Sequence, residues 1–293
     1  MVVDTVVTII INALLYTAIL TLIALGLNLI LGVLRILNLA HGITMAFGAY
    51  IALSLMSLEL PPSRLLVIIV LLLAGLIGGV LFALITGYLM VRKLIHYEPL
   101  YVLLVTYAIM LIMEDVIKFT WGPKGYVVPG VYPLFGTVSI AGLTYPGYYL
   151  ILLIVAFTIV ALTYIFLDYT SFGKMLKAVA SDRETAVALG IRADMVYFSA
   201  FTLGCILAGV GGAFTSPLLT LQPGFSLEFL LIAFIIVVMT GLGEIRGIPI
   251  VAFIVSLLRA TTVVFVPELE MAIPFLLMMI FLAFRPQGLL GKG

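Results

Sequence analysis

The chain has 293 residues, of which 65% are hydrophobic and only 9% are charged, against roughly 25% charged residues in an ordinary soluble domain. So little charge cannot cover the surface of a soluble protein of this size, and the sequence predicts one all-α polytopic membrane domain over residues 1–293. The net charge of +1 gives no reason to expect a nucleic-acid partner, and the single cysteine, Cys205, excludes a disulfide framework within the chain.

Nine apolar segments are predicted to cross the bilayer, with eight and ten crossings as alternatives. A helix needs about 20 apolar residues to cross, and the charge-free runs at 5–34, 65–91 and 195–227 all exceed that length. The second segment contains a histidine and several small residues, so it could instead be re-entrant. The predicted crossings cover residues 6–32, 39–57, 65–91, 99–119, 147–167, 195–219, 227–242, 248–266 and 270–284.

The basic residues of the connections predict the orientation. With nine crossings, ten of them fall on one side of the membrane and three on the other. Because cytoplasmic loops are rich in Lys and Arg, the N-terminus is predicted outside and the C-terminus inside a cell (inner or plasma) membrane. The ten are Arg35, Arg92, Lys93, Lys174, Lys177, Arg183, Arg192, Arg246, Arg285 and Lys292; the three are Arg64, Lys118 and Lys124.

Polar residues between the first two crossings are candidates for a transport pathway. Arg35, Asn38 and His41 recur every three residues, which would bring them to one helix face near the inner end of these crossings. Polar groups at such depth are costly unless paired or hydrated, so they mark functional sites by default. The alternative is that Asn38 and His41 hydrogen-bond a neighbouring backbone where Gly42 relaxes the helix. Asn28 has the same ambiguity, and its favoured interpretation is interhelical hydrogen bonding.

Two predicted helices carry small residues at every fourth position. Such stripes let helix backbones approach closely in lipid, so they are interpreted as packing surfaces. The residues are Gly75, Gly79, Ala83 and Gly87 in one helix and Gly204, Ala208 and Gly212 in the other.

Residues 120–146 form a connection rich in Pro and Gly, which is predicted to be an external loop because these residues interrupt a spanning helix. Within it, residues 138–140 and 143–145 are predicted to pair as a small hairpin around Ala141 and Gly142.

Residues 168–194 are predicted to form a cytoplasmic loop and hold eight of the 27 charged residues. Ser181 followed by Glu184 predicts a capping box, and Gly190 stands where a left-handed C-terminal cap belongs. Between them a helix of about two turns is expected, which is too short to persist alone in water.

This short helix is predicted to turn Ala186 and Leu189 inward as a narrow apolar face. Its other residues, Arg183, Glu184, Val187 and Ala188, remain for a partner. The residues leave two interpretations open: a docking helix for another protein, or a loop that folds back on the membrane core.

One further charge, Arg259, falls inside the eighth predicted crossing. It is expected either to pair with a carboxylate such as Glu244 or to lie at an interface, and a structural role is favoured. No chain of intramembrane acidic residues is evident, which disfavours an ion-coupled secondary transporter.

Glu184-Thr185-Ala186, followed after three residues by Gly190, resembles the "EAA…G" loop of ABC-importer permeases. In those proteins this loop forms the coupling helix that fits a cleft on the ATP-binding subunit. The second position is Thr rather than Ala, a sterically mild departure. The resemblance therefore implies a coupling role for Arg183, Glu184, Thr185, Ala186 and Gly190.

Longer stretches resemble one branch of these importers, the branched-chain amino acid (Liv-type) permeases. The stretch 26–50 contains the Asn38-x-x-His41-Gly42 core, and 173–191 matches at the corresponding place. The stretch 239–250 is similar to a later glycine-rich turn, although Glu244 and Arg246 replace smaller or apolar residues, and the closing segment 284–289 also fits. The resemblance covers nearly the whole chain.

The residues agree with this resemblance: the Gly-Lys pairs at 173–174 and 291–292 lack the Ser or Thr of a phosphate-binding loop, so ATP is expected to be hydrolysed by another polypeptide. The resemblance implies two ATP-binding subunits, a second and related permease subunit and an extracytoplasmic substrate-binding protein. No cofactor or metal is expected on this chain, whose only histidines are His41 and His96. The expected cargo is a branched-chain or other hydrophobic amino acid; urea, short amides or a monosaccharide are the alternatives.

Overall fold

The computed structural model describes residues 2–58, 61, 63–94 and 97–290, so Lys292 and His96 lie outside the described residues. Within these ranges nine apolar helices occupy the nine predicted segments. They are α1 (Val2–Leu34), α2 (His41–Met56), α3 (Arg64–Arg92), α4 (Pro99–Trp121), α6 (Tyr148–Tyr169), α9 (Ala193–Thr215), α10 (Phe225–Thr240), α11 (Ile248–Phe265) and α12 (Ala272–Phe284).

The smaller elements lie in the connections. They are α5 (Val131–Phe135), β1 (Thr137–Ile140), β2 (Leu143–Pro146), α7 (Ser171–Ser181), α8 (Arg183–Ala188) and a 3-10 turn at Pro267–Leu269. The strands pair in antiparallel fashion, with Ile140 opposite Leu143. Both turn residues adopt positive φ, 52° at Ala141 and 86° at Gly142, as a type I′ turn requires. The predicted hairpin is therefore confirmed.

Helix length separates the nine apolar helices into two groups. Six of them are long and apolar enough to cross a membrane, whereas α2, α10 and α12 are shorter. At 1.5 Å per residue, the 16 residues of α2 and of α10 extend about 24 Å, less than the ~30 Å hydrocarbon core. The polytopic all-α architecture is thus established, while the number of crossings and the orientation stay predictions.

Helix α1 defines the two ends of the bundle. Near its start the Thr8 hydroxyl lies 3.1 Å from that of Tyr145 in the hairpin. Just after its end, the Arg35 guanidinium donates to the carbonyl oxygen of Ala180 in α7. We call these the hairpin end and the α8 end.

Helix α9 lies at the centre of the bundle and packs against α1, α2 and α3. The α3 stripe faces α9: a Cβ atom on Gly79 would lie 2.6 Å from the Cys205 carbonyl oxygen. The α9 stripe faces the other two helices, since Gly204 abuts Gly26 of α1 and Gly212 abuts Met45 of α2. The two predicted stripes therefore do not meet each other but pack α9 from different sides.

The remaining members of the stripes are consistent with this arrangement. Gly75 abuts Val210 of α9, and Gly87 abuts the ring of Phe198. Ala83 and Ala208 are fully buried. Small side chains on several faces of one helix let three neighbours approach it closely, which is why α9 rather than a longer helix occupies the centre.

Candidate functional site

Helix α8 is capped at its start by an aspartate. The Asp182 Oδ1 atom accepts hydrogen bonds from the amides of Glu184 at 3.0 Å and Thr185 at 3.1 Å, and the Thr185 hydroxyl donates to Oδ2 at 2.5 Å. The predicted capping box with Ser181 is wrong, because Ser181 is the last residue of α7. An ionised carboxylate is the stronger acceptor and also suits the positive end of the helix dipole.

These hydrogen bonds also shift the titration of the cap. The Thr185 hydroxyl, followed by the Thr185 and Glu184 amides, lowers the pKa of Asp182 below its usual value. The cap is therefore fully formed above the ordinary pKa of an aspartate, about 3.9, and is lost only when the pH falls through the lowered value. At any physiological pH α8 retains its N-terminal cap.

Gly190 closes the other end of α8. Its φ of +87° is strained for residues with a side chain. The Gly190 amide donates to the Val187 carbonyl at 2.9 Å, and the Ile191 amide donates to that of Ala186 at 3.0 Å. This pair of hydrogen bonds is a Schellman motif, so Gly190 stands at the position that the sequence predicted for a left-handed residue.

The face that α8 presents outward is larger than the sequence suggested. Ala186 is buried, as predicted, but Leu189 is 78% exposed and Val187 is 47% exposed. The expectation that Leu189 turns inward is wrong, because the helix ends at Ala188 and the cap rotates the following residue outward. Leu189 and Val187 therefore form an apolar patch beside the exposed side chains of Arg183, Glu184 and Thr185. We call these five residues the docking face.

Helix α7 holds α8 against the bundle, and sequence reasoning did not find it. Leu176 and Val179 are buried on one side of α7. Asp168, at the end of α6, pairs with Lys177 of α7 at 2.5 Å and with Arg246 at 3.1 Å. The spacing of Leu176 and Val179 is a helical signal, whereas the partners of Asp168 could not be read from the sequence.

A cavity of about 550 Å³ lies beside the start of α8, next to the ends of α1, α4 and α9. Its lining includes Arg35, Tyr97, Asp182, Glu184 and Tyr197. The hydrogen bond from Arg35 to Ala180 is long, at 3.4 Å. Arg35 thus links the end of α1 to the end of α7 beside this cavity.

The pathway candidates do not share a helix face, which corrects the prediction from their spacing. Residues 35–38 are not helical, and α2 begins only at His41. Asn38 Oδ1 accepts from the Ala40 amide at 3.0 Å, and His41 Nε2 donates to the Ile23 carbonyl at 3.2 Å. Both side chains are buried, as the backbone-bonding alternative requires.

His41 lies deeper in the bundle than the α8 end of α1. Ile23 is eleven residues before the end of α1 at Leu34, a distance of about 16 Å along the axis. The segment between α1 and α2 therefore re-enters the bundle and places His41 near its middle. There Gly42 packs against α10 so closely that a Cβ atom on it would lie 3.0 Å from Leu230 Cβ and 3.1 Å from the Ser226 carbonyl oxygen.

Asn28 joins α1 to the loop after α10. Its Nδ2 donates to the Glu244 carbonyl at 2.8 Å, and its Oδ1 accepts from the Gly243 amide at 2.8 Å. Asn28 is fully buried. Its role is therefore structural, as favoured, although its partner is a loop and not a second helix.

We expect Asn28→Leu to lower the thermal stability of the purified protein. The substitution keeps the volume but removes both hydrogen bonds, to the Gly243 amide and to the Glu244 carbonyl. Because Gly243 is exposed and Glu244 half-buried, the expected cost is about 1 kcal/mol for each bond. Thermal unfolding in detergent measures the effect. Asn12→Leu, at a half-buried position of the same helix, is the matched control, and an equal shift in both variants would contradict the role of Asn28.

Arg259 pairs with two carboxylates, neither of which is Glu244. Its guanidinium lies 2.5 Å from Glu228 Oε1 and 2.7 Å from Glu270 Oε1, and its Cζ is 4.5 Å from the centre of the Tyr16 ring. The expected pair with Glu244 is wrong, because Glu244 precedes α11 whereas Arg259 lies eleven residues into that helix, about 16 Å along its axis from its first residue. The partners come from α10 and from the turn before α12.

The comparison with known families decides the class of the protein. Residues 9–282 match the model of a family described as branched-chain amino acid transport system, permease component. The chain belongs to this family. The match runs from α1 to α12, so it includes α8, Asn38, His41 and the Arg259 cluster.

Named relatives of this permease agree with the family. It is 25% identical over 286 residues to the high-affinity branched-chain amino acid transport system permease protein LivH of Salmonella typhimurium, and 24% identical to LivH of Escherichia coli; each comparison covers 92% of this chain and 91% of the relative. It is also 24% identical over 288 residues to the permease protein BraD of Pseudomonas aeruginosa, with the same coverage. No solved structure matches the chain.

The family and the apolar helices together establish this permease as a multi-pass membrane protein and a transport component. Within the described ranges, no group of three or more His, Cys, Asp or Glu side chains could hold a metal ion.

Proposed function

We propose that this permease is the membrane subunit of an ATP-driven ABC importer that carries branched-chain or other hydrophobic amino acids into the cell. The observation that carries the proposal is α8: a helix of six residues, capped at both ends, that buries only Ala186 and exposes its docking face. A helix this short has no reason to be held so firmly at the surface unless another protein contacts it. The named relatives support the choice of cargo.

The proposed partners supply what this chain lacks. Two ATP-binding subunits bind and hydrolyse ATP, and each contacts the α8 of one permease subunit. A second, related permease completes the membrane assembly, and an extracytoplasmic protein delivers the amino acid. ATP contributes energy only through contacts that differ between the two states of the permease.

The contacts of α7 give a route for that movement. A shift of α8 changes the position of Ala180, whose carbonyl is bonded to Arg35. Arg35 begins the re-entrant segment that leads to Asn38 and His41 in the middle of the bundle. In this proposal the buried polar groups of that segment line the transport pathway once it opens.

Affinity purification in mild detergent tests the assembly. We expect the permease to copurify with an ATP-binding protein, a second permease and, when ligand is present, a substrate-binding protein. Proteoliposomes that contain this assembly should accumulate leucine only with internal ATP, and urea or glucose should not compete. Uptake by the isolated chain without nucleotide would instead establish a secondary transporter.

A further inference from the structure

A second cavity lies at the hairpin end of the bundle, between α10, α11 and the start of α12. We call it the α10–α12 cavity. Its volume is about 280 Å³, close to the ~300 Å³ lower limit of small-ligand pockets, which suits a ligand of amino-acid size. Its apolar walls are formed by Leu227, Leu231, Ile232, Met271 and Phe275.

The polar lining of this cavity carries an excess of negative charge. Arg259, Glu228 and Glu270 all line it, so one positive charge faces two negative ones. Arg259 hydrogen-bonds only the Oε1 atom of each glutamate. The Arg259 side chain is 6% exposed, and its buried Nη1 atom has no hydrogen-bond partner among the described residues. The cluster is therefore not neutral, and Arg259 leaves the Oε2 atom of each glutamate to accept a hydrogen bond from a ligand.

Neighbouring charges do not remove this excess. The Glu114 carboxylate, which approaches Gly224 at the start of α10, is paired with Lys118 at 3.3 Å. Glu268, on the same turn as Glu270, is exposed and does not line the cavity. Tyr16 contributes only its ring face to Arg259. A cation that enters the α10–α12 cavity is thus attracted by the net charge of −1 that Arg259, Glu228 and Glu270 carry together.

The exposure of the two glutamates indicates what they face. Their side chains are 38% and 32% exposed, on a surface that otherwise consists of leucine, methionine and phenylalanine. Carboxylates in membrane proteins face water-filled cavities or partners and not acyl chains. Water and a cationic ligand are therefore the expected contents of this cavity.

We propose that the α10–α12 cavity is a subsite that binds the ammonium group and the apolar side chain of an amino acid in transit. Glu228 and Glu270 bind the ammonium group, and the leucine, methionine and phenylalanine walls contact the side chain. The ligand's carboxylate stays at the open mouth, in water, because the cavity repels it. The identity of the ligand as a transported amino acid rests on the proposed function, whereas ammonium recognition follows from charge and shape.

Saturation-transfer NMR on the purified permease tests this subsite with three probes that share one hydrocarbon chain. They are isoamylamine, leucine and isocaproate. We expect isoamylamine to bind at least as well as leucine. Isocaproate, which has only the carboxylate, should bind at least roughly tenfold more weakly than isoamylamine. Equal binding of isoamylamine and isocaproate would overturn the proposal.

Two variants place the binding in this cavity. Glu270→Gln removes the excess charge yet leaves Arg259 paired with Glu228, so isoamylamine should bind roughly tenfold more weakly. Leu231→Trp fills the cavity while retaining all three charged residues and should abolish binding. Glu268→Gln, an exposed position on the same turn, is the matched control and should bind normally. Unchanged isoamylamine binding by Leu231→Trp would overturn the assignment even if Glu270→Gln failed to fold.

The outcomes for the subsite and for the proposed function are separable. If isoamylamine binds as expected but the assembled transporter does not take up leucine, the proposed cargo fails and ammonium recognition stands. If the Leu231→Trp and unmodified transporters take up leucine equally, leucine is supported as the cargo. The proposal that leucine binds the α10–α12 cavity during transport is then refuted.

Discussion

Replacing Gly190 by proline should reduce ATP-driven leucine uptake roughly tenfold or more while leaving the amount of permease in the membrane unchanged. Gly190 has a φ of +87°, whereas proline fixes φ near −65° and lacks the N–H that donates to Val187. The C-terminal cap of α8 is then lost, and two turns of helix do not persist without it. Leucine uptake and ATP hydrolysis, measured together in proteoliposomes, report the uncoupling.

Two further variants separate the cap from the docking face. Gly190→Asn should retain most of the uptake, because asparagine tolerates the left-handed conformation. Glu184→Lys keeps the helix but reverses a charge on the docking face and opposes the helix dipole, so it should also uncouple uptake from hydrolysis. Normal uptake by both Gly190→Pro and Glu184→Lys would refute the coupling role of α8.

The proposed coupling requires that α8 face the cytoplasm, where ATP-binding subunits lie. Leu189 is 78% exposed, so Leu189→Cys should react with a membrane-impermeant thiol reagent in inside-out vesicles only. The native Cys205 is buried and should remain unlabelled. Labelling from the exterior would reverse the orientation predicted from the basic residues and remove the basis for coupling.

Replacing Gly79 by leucine should prevent the permease from folding, the largest effect on stability that we expect. A Cβ atom at this position would lie 2.6 Å from both the Cys205 carbonyl oxygen and the Ile206 Cα atom of α9. Backbone atoms of a central helix cannot move aside as a side chain can, so the cost is expected to be about 3 kcal/mol or more. The yield of monodisperse protein in detergent and its unfolding temperature measure this.

The matched control for Gly79→Leu adds bulk on the opposite side of the same helix. Leu84 of α3 is 61% exposed, so Leu84→Phe should fold with a normal yield. If both variants lost yield and unfolding temperature to the same extent, α3 would tolerate no added volume on either side. The close approach of α3 to α9 would then not be the reason that Gly79→Leu fails to fold.

Several features of this protein were determined by short stretches of sequence. The nine apolar segments match the helices within a few residues, because the hydropathy of a stretch and the turn or charged residues that end it are local properties of the sequence. The hairpin turn at Ala141–Gly142 and the cap at Gly190 were likewise predicted, since each depends on the conformation of one or two residues. The resemblance of residues 26–50 and 173–191 to one family of permeases agrees with the family match over residues 9–282.

Other features were decided only by the tertiary structure. The partners of Arg259 stand 31 residues before it and 11 residues after it in sequence, and the depth of His41 depends on how the segment before α2 re-enters the bundle. Asp182 rather than Ser181 caps α8, because α7 continues through Ser181, and α7 in turn depends on its packing against the bundle. Hydropathy acts within a turn or two of helix, so the sequence by itself determined the apolar segments, the hairpin turn and the cap at Gly190. Ion pairs, buried depth and the exposed side of α8 depend on which helices become neighbours, and packing alone decides that.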